Sequence, residues 1–519
     1  MRLETLLAGH ALRRPDHPAV VCGATRLGYA ALAESVRRVA SGLRKLGIAP
    51  GDRVLVHLPN GVEFVQAAYA AFSLGAIAVP VNTRLAAREL EHLFADAGPA
   101  AAIYHAGGRD AVRPGLRLVA GCRAICLGAV EGGESAFEAL AATPAGALPE
   151  LPLEPDDCLV LYTSGTTGAP KGAVLTHANM IVQNVFMHGT EWGIGRDDRY
   201  LVLTSLAHRA GMSRLFNALG LGGTLVILEK FDPAATIETI DREHITVTGL
   251  VPTAIRMLLP ELRRAPARCA SLRRIIVATE AFPVPLKQEL LGLLPHAEIH
   301  SVFGSTEALV TNLSHAEQFT HPASVGRPIP GVEVRLVGDD GRDVAEGEVG
   351  ELAVRSGPPG RFATLRAYFN RPEETAAAIR DGWFHTGDLA RRDAEGYLYI
   401  VDRKKDMVIS GGFNVYSKEV EAVLAAHPSV AEAAVIGVPD AVYGEAVAAF
   451  VERSGAGPTD AQALIEHCRS QLAGYKKPKH VFVVDALPRN STGKVLKNEL
   501  RALAAKFTLS PDSGGEGMG

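Results

Sequence analysis

The chain has 519 residues, 57 of them acidic and 53 basic, giving a formal net charge of -4 and a sequence pI near 6.5. That length exceeds what one hydrophobic core serves, so two or more domains are expected, and the charge gives no electrostatic reason for a nucleic-acid partner. The six cysteines, Cys22, Cys122, Cys126, Cys158, Cys269 and Cys468, fall at no paired metal-type spacing, which argues against a disulfide framework or zinc site and for reduced thiols in a cytoplasmic protein.

In chain order, MRLETLLAGHALRRPDHPAV shows no signal peptide, because His10 and then charge break its apolar stretch. RVLVHL at 53–58 reads as a buried strand and 61–74 as a helix with apolar residues at helical spacing. AAYAAFSLGAIAVPV at 67–81 is the most apolar window, but it is too short for a bilayer and is interrupted by Ser73, Gly75 and Pro80. It reads as a buried helix followed by a strand, and no membrane span is expected. GTLVIL at 223–228 and RRIIVA at 273–278 are β-branched runs of the kind buried in a parallel sheet. Their alternation with helical patterns predicts a large α/β N-terminal domain with parallel-type sheets flanked by helices.

From Gly331, VEVRLV, GEVGELAVRS and GYLYIVD, separated by Gly and Asp turns, suggest a small β module. Lysine usage also shifts, with 9 of the 13 lysines at or beyond Lys404. A helix at 417–426, strands at 431–438 and 446–452, a helix at 460–472 and a strand at 480–484 make a small α+β C-terminal domain. The expected boundaries are 1–402 for the N-terminal domain, 403–509 for a mobile C-terminal lid and 510–519 for a disordered tail without the apolar residues needed to order it.

The strongest local signal is LYTSGTTGAPKGAVLTH at 161–177. An apolar strand at 158–162 runs into Thr163, Ser164, Gly165, Thr166, Thr167 and Gly168, then Lys171 and Gly172. Glycines let backbone amides approach a phosphate, hydroxyls add donors and the lysine adds charge, so the segment suits a polyphosphate. It is not a Walker A loop: two residues separate Gly165 from Gly168, and Gly172 follows Lys171. The alternative is an ordinary polar turn between strand and helix.

This string closely resembles the signature loop of the adenylate-forming superfamily, which includes acyl- and aryl-CoA synthetases, peptide-synthetase adenylation domains and luciferases. The resemblance extends over nearly the whole chain, with further motifs in family order. SVFGSTEA at 301–308 resembles the aromatic-Gly-x-Thr-Glu motif. It implies that Phe303, in place of the usual Tyr, stacks near the adenine beside Gly304, that Thr306 meets the α-phosphate region, and that Glu307 holds Mg2+. Read without the resemblance, Thr306 and Glu307 could equally start a helix.

GWFHTGDLA at 382–390 resembles the motif whose aspartate, here Asp388, accepts both ribose hydroxyls. In YIVDRKKDMVISGGFNVYSKEVE at 399–421 the resemblance puts Arg403 at the ribose and phosphate, Lys405 at the pivot of the C-terminal domain, and Gly411 and Gly412 beside the pantetheine arm. LPRNSTGKVLKNEL places Lys494 on the family's catalytic lysine. Its S-x-x-K match at Ser491 lacks the companion elements of a β-lactamase. Tyr475, Lys476 and Lys477 read as contacts for the nucleotide end of CoA or as a solvated basic patch.

TSLAHRAGMSRL at 204–215 aligns with a family P-x-x-H-x-x-G segment. His208 takes the place of its histidine, beside the carboxylate or the incoming thiol, and Ser205 replaces the proline. Arg209 and Arg214 are open to binding a polar or second acidic group, or to surface and structural roles. Where the family has GGAP, this chain has Ala278, Thr279, Glu280 and Ala281, followed by Phe282 and Pro283. The narrowing suits a short or compact acid, and Glu280 is grouped with the nucleotide-binding residues.

The resemblance implies an acid:CoA ligase using ATP, Mg2+ and coenzyme A on a small-molecule carboxylic acid, with a homodimer compatible with that reading. The rivals are an acyl-AMP ligase loading a carrier protein, for which no carrier domain follows Leu509, a luciferase-like oxygenase, and a non-catalytic nucleotide-binding relative. Lys171, Glu307, Asp388, Arg403 and Lys494 together speak against lost activity.

Overall fold

The computed structural model describes residues 1–151, 154, 156–163, 170–278, 282–455, 459–489 and 495–508. Two compact units are present. The first comprises Met1–Val334, Ala353–His385 and Glu395–Leu398; the second comprises Arg335–Leu352, Thr386–Ala394 and the chain from Tyr399 onward.

Two large sheets organise the first unit. One has nine strands, in the order Arg327–Pro328, Leu309–Leu313, Glu298–Gly304, Arg274–Ala278, Val247–Leu250, Arg199–Val202, Thr224–Ile227, Pro18–Cys22 and Thr25–Gly28. The run from Glu298–Gly304 to Pro18–Cys22 is parallel, with antiparallel strands at both edges. Leu201, Ile255, Leu258, Ile275 and Ile299 are buried in one core against it.

The other sheet has eight strands, in the order Ala367–Tyr368, Lys171–Thr176, Asp157–Thr163, Ile77–Pro80, Arg53–His57, Ala101–His105, Arg123–Leu127 and Ser135–Ala136. Leu55, Val79, Phe94, Tyr104 and Val160 form its core. The window at 67–81 divides as its composition predicts, with helix Val62–Ser73 followed by strand Ile77–Pro80. That helix is apolar nearly all round, which is why it lies inside. Among the described residues no helix is long and apolar enough to cross a membrane. All six cysteines are free thiols.

The expected β module is a five-stranded sheet of Glu333–Val337, Gly350–Arg355, Trp383–Arg392, Ile379–Arg380 and Leu398–Arg403. Beyond it, strands Phe413–Val415, Val408–Ser410, Gly444–Arg453 and Val430–Asp440 form a second sheet, and His480–Val484 pairs in parallel with Gly444–Arg453. Helices Ser417–Ala425 and Ala461–Gln471 bury Val420, Leu424, Leu464 and Cys468 on one face of that sheet. Leu500 and Ala504 of Lys497–Thr508 pack with Ile436 and Phe450 on the other. The predicted helices and strands here lie within two residues of those observed.

Candidate active site

The glycine- and threonine-rich segment starts where strand Asp157–Thr163 ends. This strand and Lys171–Thr176 are antiparallel, with Thr163 opposite Lys171. Thr163 Oγ1 donates to the Lys171 carbonyl at 3.4 Å. Ser164, Gly165, Thr166, Thr167 and Gly168 lie outside the described residues.

Strand Ala367–Tyr368 continues this sheet, pairing with Ala173 and Val174, and it brings the first functional cluster together. The Lys171 ammonium lies 5.5 Å from the centre of the Tyr368 ring, a cation–π distance. The Tyr368 hydroxyl donates to Glu307 Oε1 at 3.1 Å. Backbone bonds carry the same register: the Leu365 amide donates to the Glu307 carbonyl at 2.6 Å and Phe369 to the Gly172 carbonyl at 2.7 Å. Two residues singled out from distant motifs thus meet on one tyrosine that no motif flagged.

Glu307 sits in the turn of a hairpin between Glu298–Gly304 and Leu309–Leu313, not at a helix start. The turn is held by Ser305, whose Oγ accepts from the amides of Glu307 and Ala308 at 3.1 and 3.2 Å. Thr306 and Glu307 are half-buried in it, and Phe303 and Gly304 end the incoming strand. The Glu307 carboxylate forms no ion pair with any described residue. One of its oxygens holds a neutral hydroxyl, so its charge is available to a cation.

His208 caps helix Arg209–Leu221, its Nδ1 accepting from the Ala210 amide at 3.3 Å. Burial, and then the Arg209 charge, lower its pKa, so the ring is neutral near pH 7. The P-x-x-H-x-x-G pattern has a steric cause at its last position, because a Cβ on Gly211 would lie 2.1 Å from the Ser205 carbonyl oxygen. Arg214 is buried at 5% exposure, which excludes the surface role left open for it.

In the second unit the two ribose candidates meet: Arg403 Nε lies 2.6 Å from Asp388 Oδ1. Asp388 is 4% exposed, and its amide donates to Thr386 Oγ1 at 3.1 Å. Lys405 lies in the turn after Leu398–Arg403, and its carbonyl accepts from Arg501 at 3.3 Å. Gly411 and Gly412 form the two-residue turn between Val408–Ser410 and Phe413–Val415, with φ of 59° and 84°. Two positive values are what a type I′ hairpin requires, so backbone geometry is sufficient reason for this glycine pair. Tyr475 stacks on Phe413 with ring centres 4.7 Å apart, and Lys476 pairs with Glu419 at 2.7 Å. Glu280 and Lys494 lie outside the described residues.

The family described as AMP-binding enzyme matches residues 7–368, and its C-terminal domain matches residues 419–494. The chain belongs to the AMP-binding enzyme family. It is 39% identical over 500 residues, 94% of this chain and 96% of the relative, to a feruloyl-CoA synthase of Amycolatopsis sp. To a long-chain-fatty-acid–CoA ligase of Mycobacterium tuberculosis it is 37% identical over 489 residues, 92% and 93% of the two chains. The o-succinylbenzoate CoA synthetase of Bacillus subtilis, solved with its acyl-adenylate intermediate, superposes with a TM-score of 0.84 at 30% identity, covering 96% of this chain and 97% of that one.

Proposed function

We propose that the chain is an ATP-dependent carboxylic acid:CoA ligase acting on a compact acid. In the first half-reaction the acid's carboxylate attacks the α-phosphorus of ATP, forming acyl-AMP and expelling pyrophosphate. In the second the CoA thiolate attacks the acyl carbonyl and AMP leaves. Both partners in the first step are anions, so the chain's task is to neutralise charge and align the attack, with no protein nucleophile.

The observation that carries this reading is the convergence of Lys171 and Glu307 on Tyr368, the ammonium over its ring and the carboxylate at its hydroxyl, which supports a cation for phosphate beside a carboxylate for the accompanying metal. Magnesium fits Glu307, a hard carboxylate whose side-chain partner among the described residues is the neutral Tyr368 hydroxyl, and nucleotide phosphates would supply further oxygens. When bound, magnesium withdraws charge from those phosphates. Lys171, Thr163 and the loop of Ser164, Gly165, Thr166, Thr167 and Gly168 stabilise the departing pyrophosphate, and Thr306 meets the α-phosphate. Phe303 and Gly304 flank the adenine with Glu280. Asp388, oriented by its ion pair with Arg403, accepts the ribose hydroxyls.

Lys494 bridges the attacking carboxylate and an α-phosphate oxygen. Neutral His208 stands beside the reacting carboxylate, where an uncharged ring does not trap it as an ion pair. For the thiol step the C-terminal domain turns at Lys405, and Gly411 and Gly412 serve the pantetheine arm. A compact acid is supported by Ala278 in place of a glycine at the end of its strand, and by the bulk of Trp192 and Tyr200, both buried, near the helix that His208 caps.

The test is AMP release with ATP, magnesium and CoA over a panel of carboxylic acids, with a holo-carrier protein as the other acceptor. A compact acid with CoA should give the highest kcat/KM. Higher kcat/KM for palmitate would refute the compact acid, and transfer to the carrier alone would make the chain an acyl-AMP ligase.

A further inference from the structure

We propose that a partly buried cationic layer centred on Arg209 and Arg214 is a subsite for a second carboxylate on the acid, so that the substrate class is a dicarboxylic acid. This deepens the ligase reading above and rests on it.

The layer lies where helix Arg209–Leu221 packs on the helical run of 177–192. Arg209, Ser213 and Asn217 recur every four residues and so share one face of their helix. Arg209 donates to Ser213 Oγ and to Gln183 Oε1 across the interface. Asn217 Nδ2 donates to the Asn184 carbonyl at 2.6 Å and lies 3.4 Å from His188 Nδ1. His188 stacks on Trp192 with ring centres 3.9 Å apart, and the Arg214 guanidinium lies 5.8 Å from the Trp192 ring centre.

Arg214 reaches this layer because residue 249 is glycine: a Cβ there would lie 2.2 Å from Arg214 Nε. The backbone of strand Val247–Leu250 is thus shaped around the guanidinium.

Neither arginine forms an ion pair with any described residue. Buried arginines ordinarily have a carboxylate partner, since an uncompensated charge inside a protein is expensive. Here a buried Arg214 and a half-buried Arg209 occur together, and desolvation and the neighbouring Arg214 push Arg209 down to about 10. His188 is held neutral by its burial and then by the charges of Arg214 and Arg209, so it does not offset them. Arg209 is also the first residue of its helix, where the backbone dipole adds further positive potential. Among the described residues, Arg209 Nε, His188 Nε2 and the Oδ1 atoms of Asn184 and Asn217 have no hydrogen-bond partner. His188, Asn184 and Asn217 are each at most 3% exposed. An anion is the ligand that the unpartnered Arg209 Nε and the two uncompensated guanidinium charges lack; the Asn184 and Asn217 oxygens, being acceptors, would face a donor instead.

A substrate would enter from the end of the helix that His208 caps, since Thr204, Ser205, Ala207, His208, Arg209 and Ala210 there are all half-buried. With the reacting carboxylate beside His208, Arg214 lies six residues further along, about 9 Å at the rise of an α-helix. That separation suits a short aliphatic or single-ring diacid.

The test compares kcat/KM in acid-dependent pyrophosphate exchange for pairs matched in size, adipate with hexanoate and terephthalate with 4-methylbenzoate. The diacid should be preferred at least ten-fold. Arg214→Met and Arg209→Met should each abolish that preference while monoacid activity, which also reports folding, is kept or raised and the KM for ATP stays unchanged. Absence of a preference, or equal losses for both members of each pair, would overturn the subsite while leaving the ligase reading intact. Should no acid support exchange, the ligase reading falls, and Trp192 still reports the subsite directly. In a Trp383→Phe background adipate, but not hexanoate, should change its fluorescence saturably, and no change would overturn the proposal.

Discussion

Replacing Tyr368 by Phe removes one hydroxyl from the centre of the proposed phosphate and metal site and leaves the ring under Lys171. The lost interaction is an O–H···O bond of 3.1 Å to Glu307, long against the usual 2.7–2.8 Å for such bonds. Hydrogen bonds to charged groups contribute about 1.5–3 kcal/mol, and the length puts this one at the low end, about 1.5 kcal/mol. At about 1.4 kcal/mol per factor of ten, kcat/KM for MgATP should fall about ten-fold. Pyrophosphate exchange with varied magnesium is the assay, and the loss should be largest at low magnesium, where a misplaced Glu307 binds it least well. Tyr368→Ala should cost more, since Lys171 then also loses the ring. Unchanged magnesium dependence in Tyr368→Phe, or equal effects of the two substitutions, would refute this account of Glu307.

Gly211→Ala forces a Cβ to 2.1 Å from the Ser205 carbonyl oxygen, a backbone atom that cannot turn away. It should cost about 3 kcal/mol or more in urea unfolding. By contrast Gly9→Ala, in helix Leu3–Arg13 with nothing within 4 Å of the new atom, should gain about 0.5–1 kcal/mol. Burial lowers His57 from 6.5 to about 4, so the folded state binds fewer protons than the unfolded one between those values. Its contribution is therefore complete above pH 6.5 and is lost as pH falls toward 4, amounting to about 2 kcal/mol by pH 5. His57→Gln should shrink the stability difference between pH 7.5 and pH 5 by that amount, and an unaltered difference would contradict the assignment. Lys494→Ala should abolish acid-dependent pyrophosphate exchange while largely sparing thioester formation from supplied acyl-AMP; equal loss of both would contradict the proposed division of labour.

Much of the fold was legible because local pattern and global architecture agree. The window at 67–81 turns from helix to strand at the glycine that composition marks, and the C-terminal helices and strands follow their apolar periodicity. Lys171 and Glu307 were legible as motif residues, but their meeting was not, since Tyr368 stands 61 residues beyond Glu307 with no pattern of its own. Ser305 was passed over because its work is done through backbone amides within its own turn. Arg214 was ambiguous between surface and pocket because its burial depends on the absent side chain of Gly249, on a strand distant in sequence. The pair Gly411 and Gly412 was recognised, and the structure adds a backbone reason for it in the two positive φ values.

The decisive measurement is whether the purified chain, with magnesium, exchanges labelled pyrophosphate into ATP only when a carboxylic acid is present. Acid-dependent exchange that needs no CoA and falls at least ten-fold in Lys171→Met is expected. Exchange without acid, or none with any acid across aliphatic, aryl and dicarboxylic panels, would contradict it.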